Sequence, residues 1–216
     1  SSDLTRGTDW VSAIRQLPEG APGKRRYRAF MASGDASDEA FLRLIARELY
    51  RVIGEETRRL APDTLIFGER YLIHDHPICV VEEALPYIDV LSIQPGGAIF
   101  PAAYFDELYA LHQKPILLCD HQCSFPTPAH AKTMWQQMKS EDAAGRAYAV
   151  YVNEAVHKPY ILGYQRCQYI DVFEAHIGVL KQGMLQEDQS PYKTLADHVS
   201  QANQIVLKIF EVQGVQ

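Results

Sequence analysis

The sequence predicts an α/β fold in which helices connect the strands of a parallel sheet. Short apolar runs of strand length end abruptly in polar residues, and amphipathic stretches separate them. The clearest run, residues 115–119, lacks polar alternation, which is typical of a strand buried on both faces. Ligands bind at the carboxyl ends of such strands. Asp120, His121 and Gln122, which follow directly, are therefore candidate site residues.

The chain begins with a predicted irregular lead-in over residues 1–36, where glycine and proline recur around one short helical pattern at 10–17. Ser37, Asp38 and Glu39 then predict the start of a long helix, because a serine N-cap is followed by acidic residues. Apolar residues recur through this helix at helical spacing, so we expect it to cover one face of a sheet.

Strands and helices are predicted to alternate after this helix. The predicted strands are 64–69, 88–93, 115–119 and 160–165. The predicted helices are 79–85, 101–112, 128–156 and 192–210, with a glycine-punctuated loop around 178–183. Such alternation predicts right-handed βαβ units. A closed (β/α)₈ barrel needs eight strands and about 250 residues, so we predict one domain over 1–216 whose residues 37–216 form about four βα units, half of a barrel.

Composition excludes several classes of protein. The 216 residues are 47% hydrophobic and 22% charged, as in one globular domain. The net charge of −6 comes with scattered basic residues, which argues against nucleic acid as a partner. No apolar stretch approaches the roughly 20 residues of a membrane span, and residues 1–9 lack the apolar core of a signal peptide. Four cysteines are too few for a disulfide scaffold, so a reducing, cytoplasmic compartment is favoured.

No cofactor is expected from the motifs. Gly96 and Gly97 follow a predicted strand but lack the spacing of a phosphate-binding loop. His74 and His76 could join Asp120 around a metal ion, but Pro77 directly after them favours a turn. A metal-dependent hydrolase is therefore kept only as an alternative.

Four segments resemble the strands of one enzyme family in their order and spacing. Residues 63–70 (DTLIFGER) are similar to a fifth barrel strand, and residues 87–92 (YIDVLS) are similar to a sixth. Residues 114–120 (KPILLCD) resemble the seventh, where the family has Lys-Pro, an apolar run and Gly-Glu. Residues 168–171 (QYID) resemble the exit of the eighth. The family is the clan-A glycoside hydrolases, nearest to β-agarase and β-galactosidase-like enzymes, and the match covers the C-terminal half of their barrel.

This resemblance implies hydrolysis of O-glycosidic bonds in a β-galactoside or a related polysaccharide. It places the nucleophile at Asp120, where the family has a glutamate that is one methylene longer. The family's acid/base lies at the end of a fourth strand that this chain does not contain, so Glu69 is the first candidate for a substitute. Retaining chemistry needs the two carboxyl groups roughly 5–5.5 Å apart.

Polar and aromatic side chains near the strand ends are candidates for binding sugar hydroxyls or stacking on sugar rings. Glu69 and Arg70 could instead form an ion pair that closes the barrel end. Of the candidate stacking residues Tyr71, Tyr164 and Tyr169, at least one is expected to lie in the core. The predicted substrate-binding set is Arg70, Tyr71, Gln94, His121, Gln122, Gln165, Arg166 and Gln168.

Two further questions are open from the sequence. The chain could be a non-catalytic sugar-binding or assembly module instead of an active enzyme. Four strands that cannot close a barrel leave unpaired edges, so we also expect a partner chain, either a second copy in a homodimer or the missing N-terminal half of the barrel.

Overall fold

The computed structural model describes residues 9–34, 37–128, 130–133, 136–174, 178–180 and 183–213. The chain divides into two compact units, Ser1–Val90 and Leu91–Gln216. Helices alternate with parallel strands, so the predicted α/β class is confirmed. No helix among the described residues is both long and apolar enough to cross a bilayer.

The first unit is mostly helical in its described part. Its elements are α1 (Asp9–Gln16), α2 (Pro22–Met31), α3 (Asp38–Leu60), β1 (Arg70–Leu72) and α4 (Ile78–Ala84). The helix α2 lies within the predicted lead-in, where the sequence pattern indicates only α1. Proline in the first turn suits a helix start, and Tyr27 anchors α2 by packing its ring edge-on against Phe41 at 5.0 Å.

The long helix α3 begins as predicted. The Ser37 side chain accepts a hydrogen bond from the Ala40 N–H at 3.1 Å. Acidic residues in the first turn and arginines in the last turn complement the helix dipole. Gly54 is buried in α3. A Cβ at this position would lie only 2.8 Å from the Cβ of Tyr87, so the close packing requires glycine.

The predicted strand 64–69 is wrong, because the regular strand of this unit is β1, which starts at Arg70. The Ile66 N–H donates to the Asp89 carboxylate at 2.7 Å, and the Ile66 carbonyl accepts from the Asp89 N–H at 2.8 Å. Arg58 also pairs with that carboxylate. The Asp89 carboxylate thus takes the place of a backbone acceptor on a neighbouring strand. The segment 64–69 stays extended without regular strand pairing.

The described part of the second unit contains three parallel strands and an antiparallel pair. Its elements are β2 (Leu91–Gln94), α5 (Ala102–His112), β3 (Ile116–His121), α6 (Glu141–Val156), β4 (Ile161–Arg166), β5 (Val172–Glu174), β6 (Gly178–Leu180) and α7 (Lys193–Gln213). β2, β3 and β4 run parallel in chain order. β5 and β6 form a separate antiparallel pair where a glycine-punctuated loop was predicted.

The predicted helix 128–156 is wrong over its first part, because α6 begins only at Glu141. Ser140 caps α6 by accepting from the Ala143 N–H at 3.2 Å. The described residues before it fold back on the end of β3, where the Ser124 N–H donates to the Gln136 carbonyl at 2.9 Å. The Met138 N–H donates to the Ser124 carbonyl at 2.7 Å, so these backbone groups are not available for a helix.

One face of the three parallel strands carries the core of this unit. Ile93, Leu118 and Tyr164 lie in register across β2, β3 and β4. The first two are almost completely buried, and the Tyr164 ring packs edge-on against Tyr148 of α6 at 5.4 Å. Since successive strand residues alternate between faces, the residues that follow these three belong to the opposite face.

Candidate functional site

A row of polar residues crosses the carboxyl ends of the three strands. Gln94 follows Ile93 at the end of β2, and Gln165 follows Tyr164 near the end of β4. Between them lies β3, in which Leu118 pairs with Tyr164 of β4 and His121 pairs with Arg166. Two residues of β3, Cys119 and Asp120, therefore lie opposite the single residue Gln165 of β4. Three residues predicted from the sequence, Gln94, Asp120 and Gln165, therefore lie on adjacent strands at one end of the sheet.

Asp120 lies at a β-bulge. Its φ angle is 54°, in the left-handed region that aspartate and asparagine tolerate better than most residues. Bulges of this kind recur beside active sites because the extra residue bends the strand and redirects a side chain. Asp120 is also only partly buried, whereas Cys119 and His121 on either side of it are buried.

His121 connects the ends of all three strands. Its Nε2–H donates to the Gly97 carbonyl, in the loop after β2, at 2.7 Å. Its Nδ1 lies 2.7 Å from the Tyr164 hydroxyl of β4 and, since Nε2 carries the proton, accepts from it. The His121 carbonyl accepts from the Cys167 N–H at 3.2 Å. With only 2% of its surface exposed, His121 positions the neighbouring backbone.

Aromatic rings enclose this imidazole and determine its charge. The Tyr151 ring stacks on it with centroids 4.1 Å apart, and the Tyr164 ring meets it edge-on at 5.5 Å. Burial, together with the positive charge of Arg166, lowers the pKa of His121 to about 4, although the Gly97 hydrogen bond acts in the opposite direction. The imidazole is therefore neutral at physiological pH.

We expect the protein to lose stability in acid because of His121. Its pKa is about 4 in the fold against 6.5 for an ordinary histidine, so the unfolded chain binds a proton first as the pH falls. The stabilisation is complete above pH 6.5 and decreases towards pH 4 by a total of about 3 kcal/mol. Urea unfolding midpoints measured from pH 7 to pH 4.5 test this expectation.

His121→Gln is the control for this pH dependence. Carboxylates with lowered pKa values, such as Asp106 and Asp142, titrate below the window between pH 5 and 6.5. The variant should be less stable at pH 7 and should show a flatter slope in that window. Equal slopes for the variant and the wild-type protein would show that His121 is not the group responsible.

The remaining predicted residues of this unit differ in accessibility. Gln122 is buried, and its Oε1 atom has no hydrogen-bond partner among the described residues. Arg166 is partly buried beside His121, and its charge also lowers the pKa of the Cys123 thiol, although burial raises that pKa overall. Gln165 is exposed and Gln168 is partly buried. Gln165 and Gln168 are therefore more accessible than Gln122.

Glu69, Arg70 and Tyr71 belong to the first unit. Glu69 and Arg70 are exposed, and Glu69 lines a cavity of about 250 Å³ together with Tyr50, Leu65 and Phe67. The Tyr71 side chain is buried, and its hydroxyl lies 2.6 Å from that of Tyr50. Burial raises the pKa of Tyr50 to about 12. Tyr71 is therefore a core residue and does not present its ring to a sugar.

The metal-dependent alternative involves His74 and His76, which lie in the first unit. Within the described ranges, no three His, Cys, Asp or Glu side chains lie close enough together to hold a metal ion. His76 instead places its Nδ1 atom 3.1 Å from the Leu72 carbonyl, and His74 adopts a φ of 62° in the turn between β1 and α4.

Two partners of the site were not found from the sequence. Tyr151 stacks on His121 from α6, and its position on the buried side of that helix could have been read from helical spacing. The Gly97 carbonyl carries no sequence signal, because any residue supplies a backbone acceptor. The bulge at Asp120 is likewise a backbone feature.

The fold matches a class of known structures, the (β/α)₈-barrel glycoside hydrolases. An exo-β-agarase has a TM-score of 0.71 and 21% identity over 80% of this chain and 24% of its own. The agarase AgWH50C has a TM-score of 0.72 and 19% identity over 82% of this chain and 28% of its own. The structure BpGH50 has a TM-score of 0.74 and 17% identity over 91% of this chain and 45% of its own.

These comparisons confirm the predicted resemblance to glycoside hydrolases at the level of the fold. The chain spans less than half the length of each of these structures. No protein-family model and no curated protein sequence matches it.

Proposed function

We propose that the chain is a glycoside hydrolase that cleaves O-glycosidic bonds in a β-galactoside or a related polysaccharide of the agarose type. The observation that carries this proposal is the row of Gln94, Asp120 and Gln165 at the carboxyl ends of β2, β3 and β4. Parallel strands are about 4.8 Å apart, so the row spans roughly 10 Å, enough for a sugar ring.

In this proposal Asp120 is the nucleophile or the general base. The Asp120 side chain is one methylene shorter than the glutamate of the family that this chain resembles. The backbone at Asp120 must therefore compensate for the shorter side chain. The extra residue in β3 supplies this compensation, because it changes the direction of the strand directly at Asp120. The hydrogen bonds of His121 to neighbouring strand ends hold that backbone in place.

Sugar binding is assigned to accessible groups around Asp120. Amide side chains such as those of Gln94, Gln165 and Gln168 can donate to and accept from sugar hydroxyls. Tyr169 is the stacking candidate, because its side chain is 70% exposed just beyond β4. Its carbonyl accepts from the Met184 and Leu185 N–H groups at 2.9 and 3.0 Å, which fixes its backbone.

Two sources are proposed for the second carboxyl group. Glu69 supplies the acid if the chain works alone. Otherwise a partner chain supplies it, either a second copy or the missing N-terminal half of the barrel. The cytoplasmic location favoured by the free cysteines stays a prediction.

Glu69→Gln tests the first source. If Glu69 is the acid, aryl galactosides with activated leaving groups should be cleaved at near wild-type rates, whereas natural glycosides should be cleaved about 10²-fold more slowly, because only poor leaving groups need protonation. Steady-state rates on both substrate types give this ratio. Equal losses on the two would indicate that Glu69 has a structural role.

Release of reducing sugar from agarose and from galactan, followed by product analysis, tests the function as a whole. The alternative is a non-catalytic sugar-binding module. That alternative predicts saturable binding of the same oligosaccharides with no new reducing ends.

A further inference from the structure

The helix α3 carries an apolar stripe on its solvent side. Six of its aliphatic side chains are between 36 and 71% exposed. Leu44 lies apart from the other five, which are Ile45, Leu49, Val52, Ile53 and Leu60. At 3.6 residues per turn these five fall within an arc of about 100°, next to the face that α3 buries within its own unit. Glu56 lies in the same arc and pairs with Arg59. Exposed apolar surfaces of this kind mark contacts with other proteins.

A row of charges of alternating sign runs along one side of this stripe. Its members are Glu48, Arg51, Glu55 and Arg59, spaced three or four residues apart so that they share one side of the helix. Arg51 pairs with Glu48 at 2.7 Å and with Glu55 at 2.6 Å. All four side chains are at least 38% exposed, so they are accessible to a partner.

We propose that the apolar stripe of α3 binds the same stripe of a second copy of this chain, with the two helices antiparallel across a two-fold axis. Reversing the charge row changes its order from minus, plus, minus, plus to plus, minus, plus, minus. Glu48 then faces Arg59 of the second copy, and Arg51 faces Glu55 of the second copy. A parallel pair about a two-fold axis would instead place the two charge rows on opposite edges of the contact, where they do not meet.

The apolar residues agree with the same axis. The charge pairs place it close to residue 53, in the middle of the stripe. About that point Val52 faces Ile53 of the second copy, and Ile45 faces Leu60 of the second copy. The charge pairs and the apolar pairs therefore place the two-fold axis at positions that differ by no more than one residue. This agreement is the reason why we assign the stripe to a second copy of the chain.

This contact does not depend on the proposed hydrolysis. It places the expected homodimer on a helix surface of the first unit, whereas the sequence alone suggested pairing between strand edges. The predicted edge strand 64–69 is not a regular strand in the structure, and β1, which is found in its place, has only three residues.

Sedimentation equilibrium of the full chain at micromolar concentration tests the proposal. The wild-type protein should have twice the 24.4 kDa mass of one chain. Val52→Glu places two like charges at the axis and should raise the dissociation constant at least 100-fold. Leu207→Glu is the matched control, since it adds the same charge at a 62% exposed position of α7, and it should stay dimeric.

A charge exchange tests the antiparallel arrangement. Glu48→Arg alone and Arg59→Glu alone should each weaken the dimer, and the double variant should restore it. Circular dichroism checks that each variant keeps its helices. A monomeric wild-type protein would overturn the proposal and is the result expected if a different chain covers the stripe. A dimer that Val52→Glu leaves intact would also overturn it.

Discussion

Asp120→Asn should abolish glycoside hydrolysis while leaving the fold intact. Loss of a nucleophile or general base costs about 10³-fold or more in turnover, because the amide can neither attack the sugar nor take a proton. The rate of reducing-sugar release at saturating substrate measures this loss. Oligosaccharide affinity should change little, since shape and hydrogen-bonding capacity are nearly conserved.

Asparagine is the informative replacement because of the backbone at this position. The φ angle of 54° at Asp120 is tolerated by asparagine, whereas alanine there would add strain. Asp197→Asn is the matched control, because this exposed carboxylate of α7 pairs with Lys193 at 2.7 Å. It removes the same charge from the same unit and should keep wild-type activity.

Asp120→Glu separates the chemical role from the structural one. If the bulge compensates for the short side chain, the longer glutamate should be misplaced and lose about 10²-fold in turnover, since small errors in position are costly. Asp120→Asn with more than about a tenth of wild-type turnover would remove Asp120 from the mechanism.

Helices could be predicted from the sequence better than strand boundaries. Helical spacing over many residues indicates α3, α5 and α7, and the Ser37 cap fixes the start of α3. Short apolar runs carry less information. Residues 64–69 have the composition of a strand, but Asp89 hydrogen bonds with the Ile66 N–H and changes the pairing, and this contact spans 23 residues of sequence.

The start of α6 shows the same limit. The apolar pattern around Met138 is compatible with a helix, yet the backbone from Gln136 to Met138 pairs with Ser124. A pairing between residues 12 or more positions apart leaves no local signal. The Ser140 cap, followed by Glu141 and Asp142, was the better indication of where the helix begins.

The strand end that carries the candidate site could be predicted from the sequence, but its backbone geometry could not. The break from an apolar run into Asp120 and His121 correctly indicated the end of a buried strand. It could not indicate the bulge, because the register depends on both β3 and β4. His121 and Gln122 were predicted to contact substrate, whereas their burial is consistent with roles in positioning the site.

Gly183→Ala should destabilise the second unit by about 3 kcal/mol, because a Cβ at this position meets backbone atoms that cannot move aside. It would lie 2.5 Å from the Leu185 carbonyl oxygen and 2.6 Å from the Ile170 carbonyl carbon, and in contact with the Asp171 amide nitrogen. Urea unfolding should show this loss as a lower midpoint with an unchanged slope.

The effect should extend to the attachment of α7. The buried Asp171 carboxylate accepts from the Gly183 N–H at 2.9 Å and from the Tyr192 hydroxyl at 2.7 Å, just before α7 begins. Gly163→Ala is the matched control, since a Cβ there has an ordinary 3.5 Å contact with Leu117 and should change stability by less than about 1 kcal/mol. Equal stability of the two variants would show that Ile170, Asp171 and Leu185 shift to accommodate a methyl group, and the close approach at Gly183 would then not be a requirement of the fold.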